Sequence, residues 1–212
     1  MARKYSYNIN KIKIDSHEKY YWLGFIAGDG SVQEQGRRLR IELKDDSIHL
    51  LEDFRAFLES NAEIKTRTNN NGCHCAQIDI NSKELGIYLA QYNIVPNKTK
   101  IFTIPEDKIP QEYMMDFLRG LIDADGCIHI RSNRKNLPSL SFVSGNKICV
   151  EQVAKLLNIT NKITEHNGNY TIAKEGIGVK EILNKLYEHS TETTRLKRKY
   201  ELYCTIVEQS TM

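Results

Sequence analysis

The sequence predicts an α+β protein made of two pseudo-symmetric αββαββα halves that pack through one helix from each. Three observations predict it. The stretch YYWLGFIAGDGSV at residues 20–32 returns as YMMDFLRGLIDADGCI at residues 113–128. Aligning the two pairs Gly24 with Gly120, Gly28 with Ala124, Asp29 with Asp125 and Gly30 with Gly126 at one constant offset, which is the mark of a duplication. Each copy reads as a helix running into a glycine stop, after which the apolar pattern changes to period two and the same alternation of hairpins and helices follows.

The repeated helices carry the strongest expectation. Gly24 and Gly28 lie four apart, as do Gly120 and Ala124, so each helix has one strip of small residues along which another backbone can approach closely. Packed on those strips, the helices bring Asp29 and Asp125 side by side at adjacent C-termini. Partial negative charge at a helix C-terminus disfavours a carboxylate, and two facing carboxylates repel further. A divalent cation between them would relieve both effects and recruit free carbonyls of the last turn. The plainer account, Asp-Gly as a polar helix stop, suits one copy better than two with matched strips.

Before the first motif, residues 1–15 mix Arg3, Lys4, Lys11 and Lys13 with tyrosines and isoleucines and are expected to form a partly ordered arm. Ser16 begins the first motif helix. Residues 31–35, a turn at Gly36, and Leu39, Ile41 and Leu43 alternating with Arg40, Glu42 and Lys44 read as a hairpin. Asp45, Asp46 and Ser47 offer an N-cap for a helix with Ile48, Leu51, Phe54 and Leu58 on its apolar face. A second hairpin spans 63–68 and 76–81, with Lys65, Arg67, Gln77 and Asp79 outward, and a helix follows at 82–92. The second half repeats this order: hairpin 127–133 and 137–144, helix 146–158, hairpin 162–166 and 169–173, helix 178–189, and a final helix from Arg195. The boundaries read as 1–104 for the first half (motif 22–30), 105–112 for a linker around Pro105 and Pro110, and 113–212 for the second (motif 118–126).

With 212 residues, 40% hydrophobic and 27% charged, and mean hydropathy −0.50, the chain has length for a sizeable core. A net charge of only +3 means that any nucleic-acid surface must be local. No apolar run approaches the roughly 18 residues of a membrane span, and MARKYSYNIN lacks the apolar core of a signal peptide. Five scattered cysteines suggest an intracellular, reducing compartment. Cys73 and Cys75 around His74 lack zinc-finger spacing and read as hairpin surface.

LRGLIDADG at residues 118–126 and the looser WLGFIAGDG at 22–30 resemble the signature of the single-chain, two-motif LAGLIDADG homing endonucleases. The resemblance covers nearly the whole chain. Ala27 stands where the family often has an acid and Asp123 is present in the second copy, but the family's metal-binding acid is the later one, kept in both. The resemblance implies halves that each present a curved antiparallel sheet to the DNA major groove, and magnesium-dependent double-strand cleavage at a long, imperfectly palindromic site, with manganese able to substitute. It implies Asp29 and Asp125 as metal ligands, helped by the carbonyls of Gly28 and Ala124, and a lysine near each scissile phosphate. Lys98 and Lys197 are the candidates, with Lys100 and Lys199 as rivals. Candidate base readers are Gln33, Gln35, Arg40, Lys65, Arg67 and Gln77 in the first half, and His129, Arg131, Asn133, Ser141, Lys162 and Thr164 in the second; any half-exposed sheet also has a polar outer row. A duplicated, diverged chain is expected to act as a monomer. The alternatives are an RNA maturase assisting splicing, a non-cleaving DNA-binding protein of the same fold, and a small-molecule or protein-binding domain in which the repeat is only a packing device.

Overall fold

The computed structural model describes residues 5–68, 72, 74–131 and 137–209. Its first half runs α1 (Asn10–Lys13), α2 (His17–Asp29), β1 (Gly30–Gln33), β2 (Arg38–Lys44), α3 (Ile48–Phe57), β3 (Ile64–Thr68), β4 (His74–Asn81) and α4 (Lys83–Ala90). The second runs α5 (Met114–Asp125), β5 (Gly126–Arg131), β6 (Leu137–Ser144), α6 (Lys147–Leu156), β7 (Thr164–His166), β8 (Asn169–Glu175), α7 (Ile177–Tyr187) and α8 (Lys197–Gln209). Each half therefore holds αββαββα, with α1 and α8 as additions. The two four-stranded antiparallel sheets have the same order, β1-β2-β4-β3 and β5-β6-β8-β7.

The motif helices α2 and α5 form the centre. Ser16 caps α2 by accepting from Lys19 N at 3.1 Å. Residues 19–27 are all buried because the helix is enclosed on several sides, and Trp22 packs on Phe54 of α3. Along the strip of small residues the backbones nearly touch: a Cβ at Gly24 would lie 1.9 Å from Phe117 O, and one at Gly120 2.0 Å from Tyr21 O. The strip is a steric requirement in both copies. The glycines that end the helices are also steric and not conformational. Gly30 and Gly126 have φ of −74° and −91°, open to any residue, but a Cβ would meet the carbonyls of Ile26 and Ile122 at 2.5 and 2.7 Å.

Strand patterning turns the sheets' apolar faces toward the helices. In the first sheet Leu39, Ile41, Ala76, Ile78 and Ile80 are buried; in the second, Ile128, Leu140, Phe142 and Ile172. Several expectations need correcting. The arm before α2 is built into the core: Ile12 is fully buried, Asn8 N donates to Leu58 O at 2.7 Å, and Tyr7 Oη bonds Ser82 Oγ. Gln35 is not on a strand, because residues 34–36 form a 3-10 turn with all three φ positive. Asp45–Ser47 is likewise a 3-10 turn, and no side chain caps α3. Lys162 precedes β7, which begins at Thr164. Among the described residues Cys127, Cys149 and Cys204 are free thiols, and no helix is long and apolar enough to cross a membrane.

Candidate active site at the ends of the motif helices

Because α2 and α5 pack in register, their C-termini lie together, close enough for the charge of Asp125 to act on Asp29. A Cβ on Gly28 would sit 3.1 Å from Asp125 Oδ2, so that carboxylate reaches across to the other helix. Crowding by protein, then the charge of Asp125, pushes the Asp29 carboxyl up to about 6; crowding also raises Asp125. Each is the situation that a bound cation relieves.

Besides a cavity of about 770 Å³ that Asp29 shares with Lys98, Thr99 and β1, two cavities flank the helix ends, and the internal repeat relates them. One, of about 510 Å³, is lined by Phe25, Asp29, Asp123 and Ala124, by Glu42–Ser47 at the end of β2, and by Leu196 and Arg198. The other, of about 290 Å³, is lined by Leu121, Asp125, Ala27 and Gly28, by Phe142–Gly145 at the end of β6, and by Lys98 and Thr99. In each, the segment that follows one half's last sheet-packed helix reaches over to the sheet of the other half.

The lysines behave differently. Lys98 Nζ makes one hydrogen bond, to Gly28 O at 3.0 Å, and is 8% exposed. Gly28 O, a proposed metal helper, thus already accepts from a lysine. Lys197 is exposed at the first residue of α8, with no hydrogen bond or ion pair to the described residues. It is Lys199 that reaches the motif helix. Its Nζ donates to Ile122 O, Asp123 O and Gly126 O at 2.6, 2.9 and 2.6 Å and is 1% exposed, which uses all three of its protons on the free carbonyls of the α5 terminus. Burial lowers the pKa of both Lys98 and Lys199.

Asp123, the acid that the first copy lacks, is 2% exposed. Its Oδ2 accepts from Leu196 N at 2.8 Å and Tyr21 Oη at 3.1 Å, which fixes the segment entering α8. Arg119 was not a sequence candidate. It is buried in the seam, paired with Asp116 at 2.8 Å and donating to Thr194 O and Leu186 O. A cation inside an otherwise apolar motif helix, where the first copy has Leu23, was the available signal.

The strand registers put Gln33, Arg40, Lys65, Arg67 and Gln77 on one outer face, with Ser31, Arg38, Glu42, Lys44 and Asp79. Arg40 is held by Asp79 through bonds of 2.8 and 3.0 Å, and Arg67 by Glu42 at 2.7 and 2.8 Å. In the second half His129, Arg131, Ser141 and Thr164 share an outer face, with Arg131 paired to Glu175 at 3.1 Å. Asn133 lies outside the described residues. Gln35 and Lys162, in a turn and before a strand, are not in the outer rows.

The donor set suits a hard cation. Among the described residues no group of three or more His, Cys, Asp or Glu side chains could hold a metal. Two carboxylates suit a hard divalent cation that takes oxygen ligands and keeps several waters.

Comparison with known proteins agrees with this arrangement. A family described as LAGLIDADG-like domain matches residues 16–92 and 112–202. A probable intron-encoded endonuclease, aI3, of Dictyostelium citrinum is 22% identical over 236 residues, covering 90% of this chain and 95% of that one. The LAGLIDADG meganuclease I-CpaMI, solved bound to uncleaved DNA, shares the fold at TM-score 0.61 and 8% identity, with 92% of each chain covered. Full-length DUF199/WhiA from Thermatoga maritima does so at TM-score 0.56 and 15% identity over 94% of this chain and 64% of that one.

Proposed function

The chain belongs to the LAGLIDADG-like family, and from that premise we propose that it is a site-specific DNA endonuclease that makes a double-strand break with magnesium at Asp29 and Asp125. The observation that carries this reading is the convergence of the two motif carboxylates, one from each half, at the end of a helix pair flanked by two polar sheet faces. In this reading the chain acts as a monomer whose sheets lie in the major groove of a long, imperfectly palindromic duplex. Gln33, Arg40, Lys65, Arg67 and Gln77 read base edges in one half-site, and His129, Arg131, Ser141 and Thr164 in the other.

Magnesium, when bound, supplies polarisation of the scissile phosphate and activation of water. The protein's own contributions are separable. Asp29 and Asp125 hold the ion; burial raises the pKa of both, and the charge of Asp125 adds to it at Asp29, a penalty that the ion would relieve. Lys98 keeps two uncommitted N–H donors beside Asp125 and can hold a phosphate oxygen. Cations outnumber acids on the first sheet's outer row, which would make DNA affinity fall steeply with salt.

The experiment is selection from a randomised duplex library. Incubation with Mg²⁺ is expected to enrich cut molecules sharing one long sequence, and EDTA to abolish the cutting. Tight binding without cutting in Mg²⁺ or Mn²⁺ would contradict the reading and leave a DNA-binding role. Preference for structured intron RNA would favour a maturase.

A further inference from the structure

The two cavities are repeats of one another, yet the basic side chains that line them differ. Lys98 lines the smaller one, beside Asp125. Neither Lys197 nor its rival Lys199 lines the larger one, and the three protons of Lys199 are all donated to α5 carbonyls. The basic side chains that do line it are Lys44, at the end of β2, and Arg198, exposed at the second residue of α8; Arg198 is the one carried, like Lys98, on the segment that crosses from the other half. Among the described residues no hydrogen bond or ion pair engages its guanidinium, which leaves the fork free for a ligand with paired oxygens. We propose that Arg198 is the phosphate-binding cation of the cavity that holds Asp29, as Lys98 is of the cavity that holds Asp125, so that the two DNA strands are cut beside different basic groups and Lys199 serves only as a helix cap. This rests on the nuclease reading above.

The chemistry at each phosphate is the same. A water oxygen forms the new bond to phosphorus, the bond from phosphorus to one sugar oxygen breaks, and that oxygen leaves with the electron pair and takes up a proton released by the water. The helpers differ. A guanidinium grips two phosphate oxygens through its planar fork and stays charged at any working pH, so Arg198 can only orient and stabilise. Lys98 is a point charge, partly desolvated and close to an aspartate. The larger cavity also contains Glu42 and Asp46, which have no acidic counterparts in the smaller one.

The test places the duplex recovered from the library on a supercoiled plasmid and maps breaks on each strand in Mg²⁺. Arg198→Ala and Lys98→Ala are each expected to accumulate nicked circles, with linear product falling at least about tenfold, and with the surviving nick on opposite strands in the two variants. Arg198→Lys should partly restore the missing cut. With Ca²⁺ in place of Mg²⁺, Arg198→Ala should lower the salt slope of binding by about one. Lys199→Met should keep the wild-type ratio of strand cuts while melting at a lower temperature. The assignment is overturned if Arg198→Ala slows both strands equally or neither, or if a folded Lys199→Met loses one strand's cut. Wild type that cuts no duplex would instead remove the nuclease reading itself, and this assignment with it.

Discussion

The two halves share one element order and one sheet topology, but they hold their last segments in place by opposite means. In the second half buried charges do it. Arg119, Asp123 and Lys199 bind Thr194 O, Leu196 N and the α5 carbonyls, fixing the whole entry to α8. In the first half the matching motif positions are Leu23 and Ala27, and the corresponding segment is held by buried Ile94 and Phe102, by one hydrogen bond from Lys98, and by neutral amides: Asn93 to Thr103 O, Asn146 to Phe102 O and Gln152 to both backbone groups of Ile104. Gly24 and Gly120 are the same in both, because there the backbone itself is the neighbour, whereas Gly28 faces the side chain of its counterpart Ala124. A duplicated fold is thus free to change how it anchors its periphery but not how closely its centre packs. The sheets diverge as well. The first outer row carries Arg38, Arg40, Lys44, Lys65 and Arg67 against Glu42 and Asp79, whereas the second includes exposed Leu137 and Val143.

Replacing Arg119 by leucine, its counterpart in the first half, tests the contrast most severely. It leaves Asp116 buried without its guanidinium and two carbonyls unmet, and is expected to cost about 3–5 kcal/mol by chemical denaturation. A loss below about 1 kcal/mol would mean that the halves are anchored alike. Next in size, Lys199→Met removes three hydrogen bonds from the α5 terminus and should cost about 2 kcal/mol, while Lys98→Met, with one, should cost about 1 or less. Equal losses would erase the distinction between cap and free cation.

An effect of opposite sign concerns Asp29. Its carboxyl lies near 6 in the folded chain against an ordinary 3.8, so the fold binds that proton more tightly than the unfolded chain does. The associated stability is full below about pH 4 and is lost as pH rises through 6. Asp29→Asn should therefore raise the melting temperature of metal-free protein at pH 8, by about 1–2 kcal/mol of stability, with the gain fading toward pH 4. Mg²⁺ should stabilise the wild type and leave the variant unmoved.

Much of this was legible in the sequence because it is periodic or repeated: the duplication, the αββαββα order, the small-residue strip and the outward positions of Arg40, Lys65 and Gln77. What was not legible depends on facing. Lys197 and Lys199 are two apart on a helix, so they point to nearly opposite sides, and counting from the aspartate cannot say which turns toward α5. Gln35 looked like strand because alternation continues into a turn whose positive φ values are not written in the pattern. The arm before α2 looked solvated because its charges outnumber Ile12, the residue that buries.

The central claim is that one catalytic site is made from both halves. Its most direct measurement is a cleavage time course on the library-derived target with Asp29→Asn and Asp125→Asn at matched DNA occupancy. The account predicts that neither single variant produces linear DNA in Mg²⁺, giving at most nicks, although both bind as tightly as wild type in Ca²⁺. Linear product at the wild-type rate from either variant would contradict it.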